Sequence, residues 1–202
     1  MLIGLTGMYC AGKNHVAALL ERRGLPVLDV DKLGHRAIEN GKAAVFARFG
    51  GDLRNTDGTV DRRRLGERVF GREKELAALA AIVHPEANRL MEEWIAGQAG
   101  SCVINAALLH ESTVFGRLDC IILVSAPLIT RLLRARKRDR ISWAALFRRF
   151  ASQRKFTAQY LAGNADIYKV ENRGVSALAL HRSAARLELR IDEILKGVLR
   201  LK

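Results

Sequence analysis

The order of its elements predicts an α/β fold for this chain, a doubly wound parallel sheet covered by helices on both faces. Two observations predict it: short apolar runs alternate with stretches of helical periodicity, and a glycine-rich turn joins the first run to the first helix. Residues 1–5 form an apolar run ending in Thr6-Gly7, a buried strand that enters a loop. Residues 13–23 carry Val16, Leu19 and Leu20 at helical spacing and stop at Gly24, a residue that terminates helices well. A second short strand, 26–28, ends in Asp29-Val30-Asp31. From residue 32 to about 97 the pattern is mostly helical, with breaks expected at Phe49-Gly50, at the turn Asp57-Gly58 and at His84-Pro85. That stretch is too long for one crossover, so it reads as an inserted helical subdomain. Strands return at 102–104 and 120–124. A very basic helical stretch, 129–155, is followed by a last strand at 167–170 and an amphipathic helix from Ser176 onward. The expected organisation is a single domain, 1–202, with a core of about 1–31, 100–128 and 156–202. The helical insertion is 32–99 and the basic segment 129–155.

Bulk properties narrow the function classes. With 49% hydrophobic and 27% charged residues the 202-residue chain can bury one sizeable core and is not of disordered composition. A net charge of +13 concentrates anionic ligands near the surface, whether nucleotide, cofactor or nucleic acid. Three scattered cysteines, Cys10, Cys102 and Cys120, show neither metal-binding spacing nor a disulfide framework and suit a reducing compartment. The first residues lack a basic segment followed by an apolar core and cleavage site. No run approaches the roughly 20 apolar residues of a membrane span. A cytoplasmic protein without a membrane partner is expected.

Chemistry concentrates in Gly7-Met8-Tyr9-Cys10-Ala11-Gly12-Lys13-Asn14, between the first strand and the first helix. Glycine, four residues, then Gly-Lys is the phosphate-binding loop. Its amides and the helix N-terminus face the phosphates, and the lysine ammonium reaches the β and γ groups. The usual Ser or Thr after the lysine, whose hydroxyl ligates Mg2+, is Asn14 here. An amide oxygen is also a hard ligand, which keeps the metal role open at the end of a longer side chain.

Asp29 and Asp31 close the second strand, and ligands of open α/β sheets gather beyond the carboxyl ends of the strands. A kinase needs a carboxylate to accept the proton of the attacking hydroxyl, and often one to hold Mg2+ through water. Either aspartate can instead cap the helix that starts near Lys32. The basic run holds Arg131, Arg134, Arg136, Lys137, Arg138 and Arg140, then Arg148 and Arg149. Arg134 and Arg138 share a helix face and fit a lid that closes on a nucleotide. A solvated face or a nucleic-acid patch, the latter with Trp143, Phe147 and Phe150 interleaved, is the alternative.

These motifs together resemble the dephospho-CoA kinase family. Gly-Leu-Thr-Gly, the phosphate loop and Val27-Leu28-Asp29-Val30-Asp31 look like that family's opening. Phe49-Gly50, then Asp57-Gly58-Thr59-Val60-Asp61-Arg62, Leu65 and Val69-Phe70, are similar to its most specific signature. Ile82-Val83-His84-Pro85 resembles its His-Pro element. Arg134, Arg138, Ser142, Arg149 and Gln153 follow its lid spacing, and Ala165-Asp166 with Asn172-Arg173-Gly174 its last strand and turn. The chain departs from the family at Met8, Tyr9, Cys10-Ala11 and Asn14-His15. It also departs at Ala107-Leu108-Leu109-His110-Glu111, where the family has Pro-Leu-Leu-Phe-Glu.

The resemblance implies a P-loop kinase that phosphorylates the ribose 3′-hydroxyl of dephospho-CoA with ATP and Mg2+, the last step of coenzyme A synthesis. It implies a nucleotide site of Gly7, Cys10, Ala11, Gly12, Lys13, Asn14 and His15, with Arg134 and Arg138 closing from the lid. Asp31 is the expected base, with Lys13 and Arg138 as its catalytic companions. Asp29, Arg62, His84 and Glu111 are expected on the acceptor substrate, and Asn14 on the metal. His84 before a proline also fits a purely structural role at a helix break. A monomer without a nucleic-acid partner is expected. A kinase for another nucleotide or nucleoside, or a nucleotide-binding protein that has lost catalysis and uses its basic face on nucleic acid, remains the alternative.

Overall fold

Every residue of β1 (Leu2–Gly7) is buried, which is why its sequence LIGLTG shows no polar alternation. A strand covered on both faces has no solvent side to encode. The computed structural model describes residues 1–139, 142–152, 160, 165–173 and 177–200. The side chain of Arg149 and the expected positions Gln153 and Gly174 lie outside the described residues. The chain divides into two compact units, Met1–Leu28 with Gly100–Lys202, and Asp29–Ala99.

In the first unit the described residues build a five-stranded sheet in the order β2-β3-β1-β4-β5. The other strands are β2 (Val27–Asp29), β3 (Cys102–Asn105), β4 (Cys120–Ser125) and β5 (Asp166–Glu171). β1 runs parallel to β3, with Leu5 opposite Asn105, and parallel to β4, with Gly7 opposite Val124. β4 in turn runs parallel to β5. The chain leaves β1 toward β3 and β2 on one side and returns to β4 on the other. The order therefore reverses beside β1, where open sheets place their ligands.

Helix α1 (Lys13–Glu21) turns Val16, Leu19 and Leu20 into the sheet. The C-terminal helix Ala177–Arg200 adds Leu187, Ile191, Ile194 and Val198, a stripe at spacings of three and four. Each such side chain, fully buried, contributes about 1.5–3 kcal/mol. The basic segment forms α6 (Leu128–Asp139) and α7 (Trp143–Ser152). Among the described residues no helix is long and apolar enough to cross a membrane.

The second unit packs α2 (Val30–Asn40), α3 (Lys42–Phe49), α4 (Arg62–Val69) and α5 (Glu73–Ala96). Its core is Val45, Phe46, Phe49, Leu53, Val60, Leu65 and Val69, closed over by Ile38, Leu79 and Ile82. The Asp57-Gly58 turn is real: Gly58 has φ +80°, and Asp57 Oδ1 accepts from Thr59 N at 2.9 Å and Thr59 Oγ1 at 2.6 Å. The break expected at His84-Pro85 is absent. Pro85 sits inside the continuous α5. An interior proline costs a helix about 3 kcal/mol, and here buried Val83 and Met91, on the turns either side, keep α5 packed and offset that cost.

Candidate active site

The loop from β1 to α1 is shaped by two close approaches. A Cβ on Gly7 would lie 2.9 Å from Val124 Cβ and 2.9 Å from its carbonyl oxygen, so only glycine lets β1 and β4 meet there. Met8 N donates to Val124 O at 3.1 Å, and Ala11 N closes a turn on Met8 O at 2.9 Å. Gly12 has φ +95° and caps α1, and a Cβ on it would sit 2.3 Å from Asn172 Nδ2. Cys10 is the described non-glycine residue with positive φ, at 58°, a backbone strain typical of ligand-holding loops. Its burial pushes the thiol above the usual cysteine range, against the pull of Arg138, Arg131 and Arg134.

Beyond Gly12 the first amides of α1 form a helix N-terminus, an anion site by geometry and dipole. Lys13 begins the helix and its Nζ is buried. Asn14 and His15 follow on exposed positions. Asn14 Oδ1 accepts from Asn105 Nδ2 at 3.3 Å. Asn105 is the last residue of β3, 2% exposed, and its own Oδ1 is buried without a hydrogen-bond partner. The two carboxamides thus meet through Asn105 Nδ2 at the carboxyl end of β3.

One face of α6 carries Arg131, Arg134 and Arg138, at spacings of three and four, toward the loop. Arg134 Nη1 donates to Ala11 O at 3.1 Å and Cys10 O at 3.5 Å, while its Nη2 donates to Asn172 Oδ1 at 3.1 Å. Asn172 Nδ2 donates to Ala11 O at 3.0 Å, so both side chains brace the carbonyl side of the loop. A planar trans peptide then turns the Gly12 N–H the opposite way. Arg138 lies over the Tyr9 ring at 5.1 Å and donates from Nε to Asp139 Oδ1 at 2.6 Å, which holds its pKa above the ordinary value. Tyr9 Oη donates to the other Asp139 oxygen, and Phe150 of α7 meets the Tyr9 ring edge-on at 5.4 Å.

Glu111 ends a short 3-10 turn, Leu109–Glu111, exposed and 3.6 Å from His110 Nε2. His110 Nδ1 and the buried Tyr160 hydroxyl are 3.2 Å apart, and that hydroxyl also meets Thr6 Oγ1 at 3.2 Å. Burial is the main reason the Tyr160 pKa is raised.

In the helical unit, Asp29 caps α2, its Oδ1 accepting from Asp31 N at 3.1 Å and Lys32 N at 3.4 Å. Asp31 stands in the first turn of α2. Arg62 opens α4 and lines a cavity of about 570 Å³ with His35, Arg36, Arg63, Asn40 and Thr59. His84 is exposed on α5 and is not among the residues lining that cavity. No cluster of His, Cys, Asp or Glu suited to a metal occurs among the described residues.

Three functional candidates escaped the sequence reading. Asn105 was visible only as the polar end of an apolar strand. Asn172 was one letter of a turn, and Asp139 one acid in a basic run. The placement of Asn105 at the end of a buried strand beside β1 was the available signal.

The dephospho-CoA kinase family model matches residues 1–173. A dephospho-CoA kinase of Shouchella clausii is 36% identical over 181 residues, covering 86% of this chain and 90% of that one. One from Thermus thermophilus is 41% identical over 143 residues, 70% of each. Among solved structures, TT1252 from Thermus thermophilus aligns with TM-score 0.73 and 33% identity over 94% of this chain and 96% of its own. A dephospho-CoA kinase from Campylobacter jejuni, 19% identical, shares the fold with TM-score 0.63 over 98% of this chain and 96% of its own. The phosphate loop, the sheet order and these matches agree: the chain belongs to the dephospho-CoA kinase family.

Proposed function

We infer that the protein transfers the γ-phosphoryl group of ATP to the ribose 3′-hydroxyl of dephospho-CoA, giving coenzyme A. What carries this reading is family membership across residues 1–173, which includes the whole phosphate loop. The loop amides and Lys13 hold the ATP phosphates, and Arg138 adds positive charge from α6. Such preorganised charge is the main source of rate in phosphoryl transfer. Asp31, at the start of the helix that follows β2, accepts the proton of the attacking hydroxyl. Asp29 supports it by capping that helix. In this reading Arg62, which lines a cavity of the helical unit with Arg36, Arg63, Glu39 and Asp61, binds the acceptor, and His84 and Glu111 are further acceptor-binding residues.

The donors present fit Mg2+. Asn14 and Asn105 offer hard carboxamide oxygens, and one of them, Asn105 Oδ1, is buried without a partner. Mg2+ commonly takes one or two protein ligands and the substrate phosphates, and when bound it neutralises charge on the transferring group. The protein works in the cytoplasm as a monomer in this reading.

The test is ADP release by purified protein with and without dephospho-CoA. Release should depend on dephospho-CoA and stay low with a panel of other nucleosides and nucleotides. Release indifferent to dephospho-CoA, or driven by another acceptor, would overturn the assignment. Asp31→Asn addresses the base. It should cut turnover by about 10²–10⁴ while ATP affinity holds. Collapsed ATP affinity with high residual turnover would make Asp31 a binding residue.

A further inference from the structure

Arg131 is the buried member of the arginine face of α6. It is 9% exposed, its guanidinium lies 4.8 Å over the Phe150 ring, and its Nε is buried without a hydrogen-bond partner. No carboxylate among the described residues pairs with it, and burial disfavours its charged form. A buried cation without a counter-ion costs several kcal/mol by general accounting. An aromatic face returns only about 0.5–2 kcal/mol of that. Its neighbours on the same face are otherwise occupied: Arg134 on the loop carbonyls and Asn172, Arg138 on Asp139. The three charges converge on Cys10, in the middle of the loop. Arg131 thus keeps a buried Nε–H unpaired on the helix face that Arg134 and Arg138 also turn toward the loop.

We propose that Arg131 is a further phosphate-binding residue, a guanidinium held on Phe150 whose counter-ion is the polyphosphate of bound ATP. The proposal rests on the reading of the loop as an ATP site. Phe150 fixes the plane of the guanidinium, and a phosphate oxygen meeting its terminal N–H groups forms a charge-assisted hydrogen bond in a partly dry site. Arg131 and Arg134 then divide the work on α6, the first on the ligand, the second on the loop that holds it.

The purely structural alternative, a cation that only packs on Phe150, predicts the opposite sign in one measurement. Arg131→Met keeps length and bulk and removes the charge. In the absence of nucleotide it should melt at the same temperature as the parent or higher, because an uncompensated buried charge is gone. Its affinity for ATP, measured by calorimetry, should fall roughly 10- to 100-fold. Inorganic tripolyphosphate, which lacks base and sugar, should weaken in parallel. Arg131→Lys should recover part of the loss, and Arg131→Gln, a smaller polar replacement, should match the methionine variant. KM for dephospho-CoA should not move. Parental affinity for ATP and tripolyphosphate in both Arg131→Met and Arg131→Gln would overturn the proposal. So would a lowered melting temperature with unchanged affinity. Parent protein that binds ATP and tripolyphosphate yet leaves dephospho-CoA untouched would refute the proposed function, while the anion affinities would still decide on Arg131.

Discussion

The phosphate loop takes its shape from backbone contacts, whereas the helical unit Asp29–Ala99 presents a cavity walled by side chains. The loop is defined by where glycines permit contact: Gly7 against Val124, Gly12 at φ +95° against Asn172. Arg134 and Asn172 hold its carbonyl side, which turns the Gly12 N–H the opposite way. The helical unit has an apolar core of its own and a cavity whose polar wall comes from α2, α4 and the turn between α3 and α4. A backbone site tolerates little change in shape, while a side-chain site tolerates changes that keep charge. Damage to the first region should therefore appear as lost catalysis, and damage to the core of the second as lost stability.

Lys13→Ala gives the widest separation between the two. The ammonium is the side-chain charge of the loop itself, and loss of a transition-state contact of this kind costs about 3–4 kcal/mol, or roughly 10²–10³ in rate. Melting should change little. Near-normal turnover in a folded variant would mean that the loop is not the catalytic phosphate site.

Leu65→Ala is the counterpart in the helical unit. Leu65 is 2% exposed among Val45, Phe46 and Val69. Its truncation leaves a cavity and should destabilise by about 2–5 kcal/mol. ATP affinity of the folded fraction should stay at the parental value. An equal loss of ATP affinity at unchanged stability would erase the contrast between the regions.

Much of this was legible in the sequence, for identifiable reasons. The loop was, because Gly7 and Gly12 are dictated by backbone geometry and Lys13 follows them at the spacing of the phosphate loop. The Asp57-Gly58 turn was, because its aspartate and glycine each have a fixed conformational task. The continuity of α5 through His84-Pro85 was not, since Pro85 by itself argues for a break and the packing of Val83 and Met91 that overrides it is tertiary. Nor was the Asn14–Asn105 pair, whose members are 91 positions apart and meet only because β1 and β3 are neighbours. Arg131 looked like any other charge in its run until α6 was seen to turn it inward.

Arg138→Ala sharpens the catalytic side within one helix. Its side chain is well exposed and bonded to Asp139, so removing it should barely move the melting temperature. The phosphorylation rate should fall about tenfold or more, the equivalent of one charge-assisted contact in the transition state. Arg136, packed on exposed Trp143, should be replaceable by alanine with little loss of rate, since solvent-exposed charges contribute little individually. Equal losses from both variants, together with similar drops in oligonucleotide binding and in its salt dependence, would favour a nucleic-acid face over a lid.

The smallest effect expected belongs to the helical unit and is read in acid. Glu86 on α5 accepts from Asn40 Nδ2 of α2 at 2.6 Å and from Arg89 at 2.7 and 2.8 Å. The Arg89 hydrogen bonds, and then that from Asn40, lower its pKa to about 2 from 4.5. Asp57 and Asp61 shift in the same direction, Asp57 through Thr59 and Asp61 through the Arg64 amide. A carboxylate whose pKa is depressed in the folded state adds stability that is fully present above its unfolded value. That increment fades as pH falls through the window from 4.5 to about 2. The groups reach solvent, Asp57 fully and Glu86 and Asp61 in part, so screening keeps the increment small. Glu86→Gln preserves an acceptor for Asn40 and Arg89 but cannot titrate. Melting curves of parent and variant should therefore differ at neutral pH and converge as the solution is taken toward pH 2. Parallel curves across that window would show that the Asn40–Glu86–Arg89 tie between α2 and α5 does not hold in solution.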